Sequence, residues 1–416
     1  MWARQAPRPG QAVWHSARVR RPVVLLLFAA VFVGEAMWSA IVPLVPEFAH
    51  RFALSPLESG VLLASASVAI LVVSIPAGMV GDRFGVRRVT LVALTLIALS
   101  DAGQGVASSF WELVAARTLF GVGFGALWTT GLAWLNEATG DRGSKALALT
   151  VTTAGVGNVA GPAFAGVLVD RFGLAAPFTV AAVVTGLLVT ALALDTSGTG
   201  HREATAGLPA TGALLAALRD RLVVASLVLM ALGGMIGGAV NLLVPLELHR
   251  DGVAAAGIGA AFAASAVLFI CSSAAVAHVG DRAVRAGVGA AACACAAAIM
   301  LIPLASTATA AVVVFLLARG PITAVLYTVT FPLGAVGGRE AGIGVATIAA
   351  LLNIVWAASM LVAPVAAGAV SQVAGDRAAY AAVAALSVAV AVWIASTSPP
   401  APARRPALSD SPSTSV

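Results

Sequence analysis

Twelve apolar runs of about 20 residues, divided by short polar breaks, constrain this chain more than any other feature. A helix of that length rises about 30 Å, the thickness of a bilayer's hydrocarbon core, and satisfies its own backbone there. The runs fall near residues 22–45, 58–80, 89–107, 111–135, 145–168, 176–194, 222–246, 257–279, 286–305, 309–333, 342–370 and 378–396. Only 10% of the 416 residues are charged, against about 25% in soluble domains. The reading is an all-α membrane protein with twelve transmembrane helices. The net charge of +6 does not argue for nucleic acid, because most arginines sit in short loops beside apolar runs. Cys271, Cys293 and Cys295 all lie inside apolar runs, and the last two face different ways on a helix. They imply neither a disulfide framework nor a metal site.

The basic residues orient the chain. Of 24 Lys and Arg, 18 fall on the side shared by both termini and 4 on the other, with Arg117 and Arg319 inside runs. Both termini are therefore expected in the cytoplasm, in a multi-pass protein of the cell membrane. The arginines before the first run imitate a signal peptide, but that run is longer than a signal's apolar region and is read as a retained helix. The layout is a tail at 1–21, a six-helix bundle at 22–194, a linker at 195–221, a second bundle at 222–396 and a disordered tail at 397–416. Leu214, Leu215 and Leu218 opposite Arg219 and Arg221 suggest an interfacial helix at the linker's end.

The halves repeat. A shift of 202 aligns Val42-Pro43-Leu44 with Val244-Pro245-Leu246, Ala116-Arg117 with Ala318-Arg319, and Pro162 with Pro364. A shift of 199 aligns Asp82-Arg83 with Asp281-Arg282. Two pseudo-symmetric six-helix bundles follow, with the substrate site expected between them near the midplane.

Few polar residues fall deep inside the runs. Glu35 lies roughly 20 Å of helix rise from the start of the first. A carboxylate there costs at least about 2.5 kcal/mol, so it must face a watery cavity, where it can load and release protons. Trp38 and Ser39, at i+3 and i+4, share its face. The plainer reading is a carboxylate fixed by an arginine for structure alone. Arg117 cannot shed its charge and needs a partner; Gly121, Phe124 and Trp128 follow along its face, and the two aromatics are expected, with Trp38 and Ser39, to line the substrate cavity. Asp101 is the expected partner, since both are eight positions from Ser109 on antiparallel helices; a pair between Arg117 and Glu35 is the alternative. Asn241, and Asn353 with Trp356, suit either substrate binding or interhelical hydrogen bonding. Gly143-Ser144-Lys145 and Gly121-x-Gly123-x-Gly125 lack the context of nucleotide loops. No catalytic group, cofactor or metal is expected.

Between the second and third runs stands Gly78-Met-Val-Gly-Asp82-Arg83-Phe-Gly85-Val-Arg87-Arg88. The pattern G-x-x-x-D-R-x-G-x-R-R resembles the signature loop of the major facilitator superfamily. Leu113-x-x-x-Arg117-x-x-x-Gly121 resembles that family's fourth-helix motif, whose arginine is associated with proton transfer. Gly157-x-x-x-Gly161-Pro162-x-x-x-Gly166 resembles the antiporter motif of its exporters, and Glu35 followed by Pro43 and Pro46 resembles its sugar and drug efflux permeases. The resemblance implies the major facilitator fold and a transporter that exchanges protons for a drug-like solute or small metabolite by alternating access; a monomer is expected. A proton symporter importing a solute, and a receptor or scaffold on the same fold, are the rival readings. The partners implied are a small-molecule substrate, protons and the bilayer, with no nucleic acid. For the gate, Asp82 is expected to accept backbone N–H bonds from the start of the eleventh helix, near Ala341 to Gly344, when the cytoplasmic side is closed. Glu137 is expected to pair with Arg83 or Arg87. Gly78 and Gly85 serve close approach or turning, and the arginines sit among headgroups.

Overall fold

The computed structural model describes residues 21–139, 143–194, 218–279 and 286–397. Twelve helices among them are long and apolar enough to cross a membrane: Pro22–Phe52, Pro56–Phe84, Val86–Val106, Phe110–Thr139, Leu149–Phe172, Ala176–Leu194, Arg221–Arg250, Ala255–Val279, Gly287–Ala305, Thr309–Glu340, Thr347–Ala374 and Asp376–Ser396. They are called the first to twelfth spans below. Several outrun their apolar runs, because a helix continues past the headgroups until a cap ends it. The second begins on a capping box, in which the Ser55 hydroxyl accepts from the Glu58 amide and the Glu58 carboxylate accepts from the Ser55 amide. It ends at Gly85, whose φ of 94° favours a residue without a Cβ.

Three spans are interrupted. In the first, the α-helix stops at Ala40, passes through a 3-10 turn at Val42–Leu44 and resumes at Val45, since Pro43 and Pro46 cannot donate to the ladder. In the fourth, Leu127–Gly131 forms a π-helical turn that rotates the side chains within it relative to a regular helix. The ninth breaks at Met300.

The packing has the symmetry that the repeat implies. The first span packs on the fifth as the seventh does on the eleventh, the second on the fourth as the eighth on the tenth, and the third on the sixth as the ninth on the twelfth. Between the bundles, the second span meets the eleventh and the fifth meets the eighth, contacts that the pseudo-two-fold exchanges. Both are closed at the same end. A Cβ on Gly60 would overlap the Pro364 carbonyl, on Gly368 that of Pro56, on Gly166 that of Ala255 and on Gly259 that of Pro162. We call this the closed end; the 84–86 turn lies at the other. The interfacial helix expected at 214–221 falls mostly outside the described residues, where only the turn at 218–220 precedes the seventh span. Residues 1–20 and 398–416 of the two tails, and Asp281-Arg282, also lie outside them.

Candidate functional site: a cavity between the bundles

A cavity of about 410 Å³ sits between the bundles, under the closed end, with Pro162 and Pro364 in its lining. Glu35, Trp38, Ser39, Trp128, Asn241 and Trp356 line it as the sequence suggests. The Glu35 carboxylate accepts from Trp128 Nε1 at 3.0 Å and from Asn158 Nδ2 at 3.3 Å. The first donor stands on the π turn of the fourth span. The second is brought in by the fifth, whose Gly157 and Gly161 lie so close to the first span that a Cβ would meet the Phe32 and Ala36 carbonyls. Small residues there let two backbones touch and set Asn158 against the carboxylate. The Ser39 hydroxyl is turned back on its own helix, donating to the carbonyls of Glu35 and Ala36.

Aromatic rings continue the wall. Trp38 stacks on Phe124 at 5.5 Å and meets Trp356 of the other bundle at 6.0 Å. Phe124 is therefore a second layer behind Trp38 and not part of the lining. Asn353 departs further from expectation: it is exposed and lies away from the cavity.

The two repeat-related arginines differ. Arg117 is 1% exposed, and its guanidinium donates to the carbonyls of Met37 at 3.2 Å and Trp38 at 2.9 Å. Its carbon also lies 4.7 Å from the Phe120 ring centre. No direct ion pair with Asp101 or Glu35 is formed here, although Asp101 lies close enough to act on Arg117 electrostatically. Asp101 is fully buried with no hydrogen-bond partner on either oxygen, and Glu35 is bonded to neutral donors. The reason is the break after Ala40: the last carbonyls of a helix lack amide partners and carry the negative end of its dipole, so the cation caps them. Arg319 also lines the cavity, yet it donates no hydrogen bond and forms no ion pair among the described residues.

A family model described as Major Facilitator Superfamily matches residues 27–342. The chain belongs to the major facilitator superfamily. Its members are secondary transporters, generally not enzymes. Among curated relatives, the probable vesicular acetylcholine transporter-B of Danio rerio is 28% identical over 185 residues, covering 42% of this chain and 38% of that one. Multidrug resistance protein Stp of Mycobacterium tuberculosis is 32% identical over 133 residues, 31% of this chain and 24% of that one. The matched stretches thus span less than two fifths of these relatives. Among solved structures, a bacterial homologue of the human lysosomal transporter Spinster, inward-facing and unoccupied, aligns with TM-score 0.73 at 14% identity over 92% of this chain and 96% of that one. The nucleoside transporter NupG aligns with TM-score 0.72 at 12% identity over 90% and 98%.

None of the gate residues lines the cavity. Gly78 faces Thr129 of the fourth span, and Gly85 makes the turn. Arg87 donates to the carbonyls of Leu192 and Ala193 at the end of the sixth span. Arg83 rests over the Phe84 ring and forms no ion pair with Glu137 in this conformation. Asp82 is exposed and likewise unbonded among the described residues. The bond expected of Asp82 is made by a different residue, at the closed end. Asp170 accepts from the Ala256 amide, at the start of the eighth span, at 3.0 Å. Asp170 was legible: Gly166-x-x-x-Asp170-Arg171-Phe172-Gly173 repeats Gly78-x-x-x-Asp82-Arg83-Phe84-Gly85 letter for letter.

Proposed function

We propose that this transporter is a proton-coupled exporter of a small solute, working by alternating access. One observation carries the reading. The acid of the first span faces the cavity between the bundles, and the donors that hold it come from the π turn and from the small-residue face of the fifth span. A carboxyl so placed serves the proton and the solute in turn. Protonation weakens its hold on a bound solute, and deprotonation restores it. Arg117 keeps the break in the first span in place and sets a fixed positive charge beside this exchange, with buried Asp101 nearby. Resemblance of the fifth span to exporters, and a multidrug resistance protein among the relatives, favour export.

Alternating access uses two latches. Asp170 of the fifth span, bonded to the start of the eighth, holds the closed end, which the charge bias assigns to the outside, so this conformation opens to the cytoplasm. In the opposite conformation Asp82 takes the start of the eleventh span and Asp170 lets go; Glu137 is the proposed partner of Arg83 or Arg87. The gate comprises Gly78, Asp82, Arg83, Gly85, Arg87, Arg88 and Glu137.

The test is an accumulation panel of drug-like compounds in cells expressing the protein or Glu35→Gln. The amide keeps the shape of the carboxyl and its neutral neighbours but cannot titrate. Wild type should lower accumulation of at least one compound under an inward proton gradient, and the variant should lose this at near-normal expression. Gradient-driven efflux that survives Glu35→Gln removes the carrier role.

A further inference from the structure

Arg319 is the anomaly of the cavity. Its guanidinium carries five donors and a charge it cannot lose, at a depth where an unpaired charge is costly. Its repeat mate Arg117 is satisfied by carbonyls and rings, whereas the Arg319 guanidinium has no hydrogen-bond or ion-pair partner among the described residues, only the neutral phenol of Tyr327 near it, and lines the cavity beside Thr323 and Tyr327. Across the cavity, on the other bundle, Glu35 takes one neutral donor on each oxygen and keeps lone pairs to spare. The two do not form an ion pair with each other. One bundle therefore presents an acid and the other a bare cation, with the aromatic surface of Trp38 and Trp356 between them.

We infer that the solute for this cavity is amphoteric: an anionic oxygen group seats on Arg319, a protonated amine on Glu35, and an apolar or aromatic body between them. This rests on the cavity being the transport site and deepens the exchange reading. A purely cationic solute leaves Arg319 bare and adds a like charge beside two arginines. A purely anionic one is repelled by ionised Glu35 and favoured by protonated Glu35, so it binds together with the proton instead of trading places with it. Only a molecule with both ends answers both charges while its amine competes with the proton at Glu35. Because its two ends grip opposite bundles, bound solute also ties together the parts that must move.

Binding to purified protein in nanodiscs, measured by calorimetry without any gradient, tests this with matched probes: 4-(aminomethyl)benzoate, 4-methylbenzoate and 4-methylbenzylamine. The zwitterion should bind at least about tenfold more tightly than either single-charge relative, a difference of about 1.4 kcal/mol. Arg319→Gln should bring it down to the level of the amine, and Glu35→Gln to that of the acid. Arg319→Lys, which retains the charge, should keep part of the preference and serves where the glutamine variant fails to fold. Equal binding of the three probes, binding of none, or a preference unmoved by both glutamine variants overturns the proposal. Loss of the preference with pH-driven efflux intact rejects the amphoteric solute and leaves exchange standing. Zwitterion preference without such flux does the reverse.

Discussion

Gly78–Gly85 and Gly166–Gly173 share every defining letter, yet they are in opposite conditions. Each ends a long helix with a glycine at positive φ, 94° at Gly85 and 84° at Gly173, and each closes its last turn with a bond back four residues. In the second copy Asp170 is bonded to the eighth span and Gly166 lies against the Ala255 backbone of the other bundle. In the first copy Asp82 is free among the described residues, and Gly78 touches only the Thr129 side chain of its own bundle. The same local structure is a latch when a helix N-terminus of the opposite bundle is within reach and an idle turn when it is not. Sequence sets the fitting, and the relative position of the bundles sets its use.

The sharpest break in that contrast is Gly166→Leu against Gly78→Leu. A side chain at 166 collides with main chain that cannot step aside, and overpacking of that kind costs about 1–3 kcal/mol. The closed end should therefore open by roughly tenfold to a hundredfold in population. Spin labels at Phe172 and Ala254, read as a distance distribution, should report the widening; Gly78→Leu should leave that distribution nearly unchanged. Equal effects of the two would mean that the copies are not in different conditions.

Charge removal comes next. Asp170→Asn gives up the attraction between a carboxylate and a helix N-terminus, about 0.3–1 kcal/mol at an exposed site. The same label pair should shift modestly toward the open distance, and Asp82→Asn should shift the balance the other way or not at all. Both should slow transport, since each latch is needed once per cycle. A shift toward opening at the closed end caused by Asp82→Asn would sink the two-latch scheme.

The smallest effect on the balance is expected at the shared glycines. Gly85→Ala and Gly173→Ala each strain a positive φ by about 1–3 kcal/mol, but both turns persist in either conformation. Melting temperature should fall for both, with the label distances unmoved.

The twelve spans were legible because bilayer thickness imposes a run length that composition exposes directly. Glu35, Trp38 and Trp128 were legible for a related reason: polar or amphipathic residues deep in a run need a cavity. Helical spacing did not separate the lining from the layer behind it, which is why Phe124 stands behind Trp38, and Asn353, though polar and deep in its run, lies outside the cavity. The partner of Arg117 was hidden for a plainer reason. Asp101 has a letter in the sequence, whereas the Met37 and Trp38 carbonyls belong to a backbone that every residue shares. The second copy of the latch was written in the letters, 88 residues after the first, but the half-chain repeat near 202 leads the eye elsewhere.

The grip of Arg117 on main-chain oxygens bears on how this protein tolerates genetic change. An ion pair can be lost from either side and restored by a compensating change in the partner. A guanidinium held by carbonyls has no partner gene position: substitutions at Met37 or Trp38 change side chains but leave the acceptors in place. Selection thus acts on this contact through Arg117 itself and through the prolines that break the helix beyond Ala40, so lesions at Arg117 lack a simple second-site remedy on the first span.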